Sequence, residues 1–262
     1  MRLLVSINVY LWTISLLQGQ QVPVSPEKWQ VAIVHSQLGY RICGASLVNE
    51  QFLITAASCV HQHNAEDLVV ILEQDFERHR VAALLPRINP NLFKRSRISR
   101  SEVHPDFNAE NGDNDIAVLE LAQAITYSDK IGPICLPDKA MDSFFGMMAT
   151  QGGWGVPPVA FGPNPWPLAK QNLKILRHTD CGDQRRICAK TGVLQYRECQ
   201  GDKGGSLHTY FNLYQPILIG IVPKVKTCPI GDEMATYTRI TPYLDWIHEN
   251  MHGVLSCVPY RT

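Results

Sequence analysis

The hydrophobic positions of this chain fall in short runs. Residues 29–35, 51–56, 68–72, 116–121 and 217–222 are each apolar over five to seven positions, and clusters of Gly, Pro, Asn and Asp separate them. Runs of that length rich in Val, Ile and Leu and bounded by turn residues predict strands, and many short strands in series predict a sandwich or a barrel. One segment, residues 242–251, is amphipathic in the helical sense and predicts a helix near the C-terminus. Residues 156–167 carry five prolines and predict a stiff surface loop. No internal repeat, heptad run or low-complexity tract interrupts the pattern.

The first residues, MRLLVSINVYLWTISLLQGQ, depart from it. Arg2 precedes an apolar run from Leu3 to Leu17, and the small Gly19 follows. This is the arrangement of a secretory signal peptide over residues 1–19, leaving 20–262 as the mature chain. The run is shorter than the ~20 residues a spanning helix needs, so no membrane span is expected. The remaining composition suits a globular domain: 262 residues, 45% hydrophobic, 18% charged. The formal net charge of zero gives no signal for nucleic acid.

Export makes the eight cysteines interpretable. An even number in a secreted chain predicts four disulfides. No CxxC pair occurs, so no zinc site is expected, and no cofactor signature is present.

Seven ordered segments then carry a resemblance: CGASLVNEQFLITAASCV, DNDIAVLEL, ICLP, GGWG, CQGDKGGSL, GIV and TRITPYLDWI. Their order and spacing over roughly residues 28–250 resemble the chymotrypsin-like (trypsin family) serine proteases. The resemblance implies an all-β fold, a double Greek key of two six-stranded β-barrels with a C-terminal α-helix and a cleft between the barrels. It also implies the bridges Cys43–Cys59, Cys181–Cys188 and Cys199–Cys228. A further family bridge would fall at Ala149 and Thr209, where both halves are missing together. Cys135 and Cys257 remain and pair by elimination.

Family chemistry requires a hydroxyl, an imidazole that takes its proton, and a buried carboxylate that orients the imidazole. In TAASC the position of the histidine is Ser58. The aspartate position, Asp115, is kept. In GDKGG the position of the nucleophile is Lys203. Serine is not a base near neutral pH, so the resemblance implies a degenerate triad. His61 and His63 lie just beyond Cys59 as rescue candidates. A Ser58–Lys203 dyad is the other route to a rebuilt site. Lys203 either spans the space vacated by the imidazole to pair with Asp115 or points to water.

The surroundings depart from the family as well. Arg197 stands at the base of the specificity pocket, and Pro223, Lys224 and Val225 replace the edge that pairs with substrate, often SWG. Pro223 removes the hydroxyl that supports the aspartate. No activation sequence of the IVGG kind supplies an amino group for Asp202. Separately, Arg87, Lys94, Arg95, Arg97 and Arg100 fall within fourteen residues free of acids, a candidate basic patch for a polyanion.

The leading expectation is a secreted, non-catalytic protease homologue. It would bind an extracellular protein, an active protease or its substrate, in a proteolytic cascade such as that of innate immunity. The alternatives are a polyanion- or microbe-binding protein of the azurocidin type and an endopeptidase with a rebuilt site.

Overall fold

A computed structural model describes residues 27–72, 94–141, 143–153, 169–190, 203–211, 215–224, 234–254 and 256–257. The expected leader over residues 1–19, the proline-rich segment 156–167, Arg87, Arg197, Val225, Asp202 and the expected Cys199–Cys228 bridge lie outside them.

The short apolar runs become strands. In chain order these are β1 Gln30–His35, β2 Arg41–Leu47, β3 Phe52–Thr55, β4 Leu68–Ile71, β5 Arg95–Val103 and β6 Ala117–Leu121, followed by β7 Met148–Gly153, β8 Ala169–Ile175, β9 Arg186–Lys190, β10 Ser206–Phe211, β11 Gln215–Ile221 and β12 Ala235–Arg239. Each set of six closes into an antiparallel barrel, in the order β1-β2-β3-β6-β5-β4 and β10-β11-β12-β9-β8-β7. Closure leaves no open sheet edge. Bulges between Ile33 and Val34 and between Leu207 and His208 bend the strands as closure requires.

The amphipathic segment is helical over Leu244–Asn250 (α1) and is preceded by a 3₁₀ turn, Thr241–Tyr243, with a proline in its first turn. Proline serves there because the first N–H groups of a helix have no internal partner. Leu244, Ile247 and Met251 pack into the same apolar cluster as Leu47, Phe52 and Leu119, so the helix closes on the first barrel. The second barrel has its own core around Leu173, Ile187, Leu207 and Ile219.

Three disulfides lie among the described residues: Cys43–Cys59, Cys181–Cys188 and Cys135–Cys257. At the missing family bridge, Thr209 donates its hydroxyl to the Met148 carbonyl at 2.8 Å and Ala149 is buried in the core. A polar and an apolar contact there join the strands that a disulfide would otherwise link.

Candidate functional site

The cleft between the barrels is assembled from three short backbone devices. Ser58 sits in a single 3₁₀ turn, Ala57–Cys59, directly after β3, and Cys59 is bridged back to β2 through Cys43. Asp115 follows Asn114, which has φ +54°. Asparagine tolerates this left-handed conformation better than most residues. Asn114 is also tied on both sides: its amide donates to the Asp106 carbonyl at 2.8 Å, and it accepts from the Tyr243 hydroxyl at 2.9 Å. Lys203 is placed by its own backbone, whose carbonyl accepts from Gly44 N at 2.8 Å. The next residue, Gly204, has φ +80°, and a Cβ there would overlap the Gly44 carbonyl and Thr55 Oγ1. Glycine is therefore required where β2 and the 203–205 turn cross.

These devices bring Ser58, Asp115, Lys203 and Lys224 together. The Asp115 carboxylate is fully buried and accepts three hydrogen bonds: from Ser58 N at 2.7 Å, Ser58 Oγ at 2.9 Å and Lys224 N at 2.8 Å. Thr238 Oγ1 donates to its backbone carbonyl at 3.2 Å. Neither nearby histidine is among the donors. His61 packs its ring on Phe107 and places Nδ1 3.3 Å from the Ala57 carbonyl. His63 packs edge-on against His35. Burial, reinforced by His35 and Lys203, pushes the His63 imidazole below its ordinary range.

The Lys203 ammonium does not reach the carboxylate. It donates to the Ser58 carbonyl at 3.2 Å and forms no ion pair with Asp115. The expected pairing gives way because Asp115 is already satisfied. The Lys224 backbone N–H, supplied by the loop that Pro223 opens, fills the place of the absent hydroxyl, a donor that side-chain chemistry does not reveal. Lys203 is half-buried, and burial lowers its pKa; the charge of Asp115 opposes the shift and that of Lys224 adds to it. Among the described residues no cluster of three or more His, Cys, Asp or Glu side chains could hold a metal.

The candidate basic patch divides. Lys94, Arg95 and Arg97 are exposed at the start of β5. Arg100 is withdrawn from it. Its guanidinium pairs with Glu120 at 2.9 Å and Glu102 at 3.1 Å and donates to the Asn250 carbonyl, fastening β5 to the end of α1.

Two closed six-stranded barrels with a C-terminal helix, and a cleft whose floor is held by the 43–60, 113–121 and 203–207 segments, define a chymotrypsin-like serine protease fold. The Trypsin family model matches residues 16–247, and the chain belongs to that family. It is similar to the proclotting enzyme of Tachypleus tridentatus, at 29% identity over 91% of this chain and 67% of the relative. It is similar also to transmembrane protease serine 11G of Mus musculus, at 28% identity over 80% of this chain and 49% of that protein. The chain thus spans about half the length of the mouse relative. No helix among the described residues is long and apolar enough to cross a membrane.

Proposed function

We propose that the chain is a secreted protease homologue that binds rather than cleaves, acting as a regulatory partner in an extracellular proteolytic cascade. The observation that carries this reading is the occupancy of Asp115: its carboxylate orients a serine hydroxyl and two backbone N–H groups, and no imidazole. A triad works by passing a proton from nucleophile to imidazole. Here the nucleophile position offers an ammonium, and the base position offers a hydroxyl whose proton points at a carboxylate. A Ser58–Lys203 dyad is disfavoured on the same ground. The amine contacts the Ser58 carbonyl rather than Oγ, and Oγ is engaged by Asp115. A polyanion surface is the weaker alternative, since Arg100 has left the patch.

Amidolysis of chromogenic peptides by the purified mature chain tests the reading. No turnover above blank is expected, since loss of the nucleophile or the base alone costs on the order of 10⁶ in rate. Lys203→Ser alone is expected to restore nothing, because no base is present. Turnover that follows the intact protein through purification and disappears in Asp115→Ala would overturn the reading. Retention of a protein from native extracellular fluid on the immobilised chain is the positive arm.

A further inference from the structure

Among the described residues, two lysines and one buried carboxylate meet at the floor of the cleft. An ammonium has three hydrogens to donate. Lys203 gives one to the Ser58 carbonyl, and none of the described residues accepts the other two. The charges that act on it are Asp115, which hydrogen-bonds Ser58 and the Lys224 backbone instead, and a second cation, Lys224. Lys224 is exposed, and among the described residues its Nζ donates to the Ala109 carbonyl alone, at 3.4 Å. Lys203 and Asp67 both act on the charge of His63, and Asp67 forms no ion pair with Lys203. A half-buried ammonium without a contacting anion is an unfavourable arrangement that a bound anion relieves.

The surface continues in an aromatic direction. The His63 ring meets His35 at 6.4 Å, and His35 meets Tyr40 at 5.3 Å. The turn that joins β1 to β2 exposes Leu38 and Tyr40 at 45% and 40%. Leu38 N also lies 3.3 Å from His35 Nδ1, so the imidazoles, the phenol and the leucine form one surface.

We propose that Lys203 forms a receptor for the carboxylate of an acidic side chain on an extended segment of a partner protein, with Leu38 and Tyr40 holding an apolar neighbour in that segment. This rests on the reading of the chain as a binder, and it names the partner's chemistry. Charge complementarity selects the occupant. Among the described residues the floor holds two lysines beside one buried acid, whose three hydrogen bonds come from Ser58 and the Lys224 backbone and from neither ammonium. Ser58 is small, and its hydroxyl is engaged with Asp115 rather than with the ammonium. A charge-assisted hydrogen bond from a partly desolvated lysine discriminates carboxylate from amide by the charge alone.

The probes are acetyl-Leu-Glu-Leu-amide and its twin acetyl-Leu-Gln-Leu-amide, titrated into the full mature chain at low salt. The readout is the backbone amide signals of Gly44 and Gly204, which frame Lys203. The Glu peptide is expected to shift both saturably and to bind at least about ten-fold tighter than the Gln twin. Lys203→Gln, with Lys203→Met as a second neutral replacement should the first not fold, is expected to abolish that difference. Equal binding of the two peptides to the unaltered chain overturns the receptor, as does a preference that survives either neutral variant. Neither result touches the absence of turnover. Conversely, measured turnover would remove the non-catalytic reading while leaving a Glu preference in place.

Discussion

Asp115 is a buried carboxylate whose neighbours are neutral donors, and Lys203 is a half-buried ammonium whose neighbour is a neutral acceptor. The two residues therefore differ sharply in what their loss does. Asp115→Ala leaves Ser58 N, Ser58 Oγ and Lys224 N without their acceptor inside the barrel junction. At roughly 1–3 kcal/mol for each stranded buried donor, partly relieved by relaxation, the expected loss is about 3–5 kcal/mol. Lys203→Met removes a desolvated amine and one hydrogen bond to a carbonyl, so its expected effect is within about 1 kcal/mol. Urea unfolding of the two variants measures both. Equal destabilisation would mean that the two charges act as a buried pair after all. The identities of Ser58, Asp115 and Lys203 were legible in the sequence because flanking motifs fix their register. The route of the lysine was not, because the competing donor to Asp115 is a backbone N–H, and backbone N–H groups look alike in any sequence.

Strand β10 shows the same limit at the scale of an element. Ser206 and His208 stand two apart, with the apolar Leu207 between them directed to the second core. Such alternation reads as one core face and one solvent face. Here the polar face is buried: Ser206 Oγ lies 3.3 Å from His208 Nδ1, and His208 Nε2 lies 3.2 Å from Glu27 Oε1. Gln30, from β1 of the other barrel, donates to Ser206 Oγ at 2.6 Å, and Lys170 approaches Glu27 at 3.4 Å. The partners come from distant parts of the chain, so a local pattern cannot announce them. By contrast, β1, β3, β4, β6 and β11 were legible, because apolar strands bounded by turn residues carry their signal locally. Burial, reinforced by the Lys170 charge, pushes His208 down to about 3. The sign of the consequence follows. Between the ordinary histidine value near 6.5 and that depressed value, the unfolded chain takes up a proton that the folded chain refuses. Stability from this residue is therefore full above about pH 6.5 and falls as pH drops, by about 2 kcal/mol at pH 5. Burial raises the Glu27 carboxyl, so its contribution runs the opposite way; it binds a proton more readily folded than unfolded. Comparing the unaltered chain with His208→Gln isolates the histidine. The variant is expected to lose about 2 kcal/mol less between pH 7 and pH 5. Parallel pH profiles would mean that His208 is protonated in the folded state.

The cleft exists only between the barrels, so something must hold them at a fixed angle, and Leu218 and Ile221 of β11 begin it by packing into the first barrel's apolar cluster. Polar contacts do part of this. Gln30 reaches Gly152 O at 3.2 Å as well as Ser206, and Gly44 N meets Lys203 O at 2.8 Å. The connection between the barrels adds to it. Its Cys135 runs beside β11, with Cys135 N donating to Pro216 O and Leu218 N to Cys135 O, so the linker is laid onto the second barrel. Leu136 N then donates to Cys257 O at 3.0 Å, and the Cys135–Cys257 bridge fastens the linker to the tail beyond α1, which is packed on the first barrel. One covalent bond thus ties the linker, the second barrel's wall and the helix of the first barrel into a ring. Its partners are 122 residues apart in sequence. Closing a loop of that length removes denatured-state entropy equivalent to about 5 kcal/mol in the chain-entropy description, and measured losses on removing a native disulfide run about 2–5 kcal/mol. The paired variant Cys135→Ser with Cys257→Ser is expected to fall in that range by urea unfolding. Gln215, whose amide lies within 3.4 Å of both sulfurs, can bond to the new hydroxyls, so the replacement strands no donor of its own. Because the lost bridge anchors the inter-barrel linker, the Gly44 and Gly204 amide signals are expected to broaden in the variant even at temperatures where both barrels remain folded. A loss below about 0.5 kcal/mol with those signals unchanged would mean that the polar and apolar contacts between the barrels set their angle without the bridge.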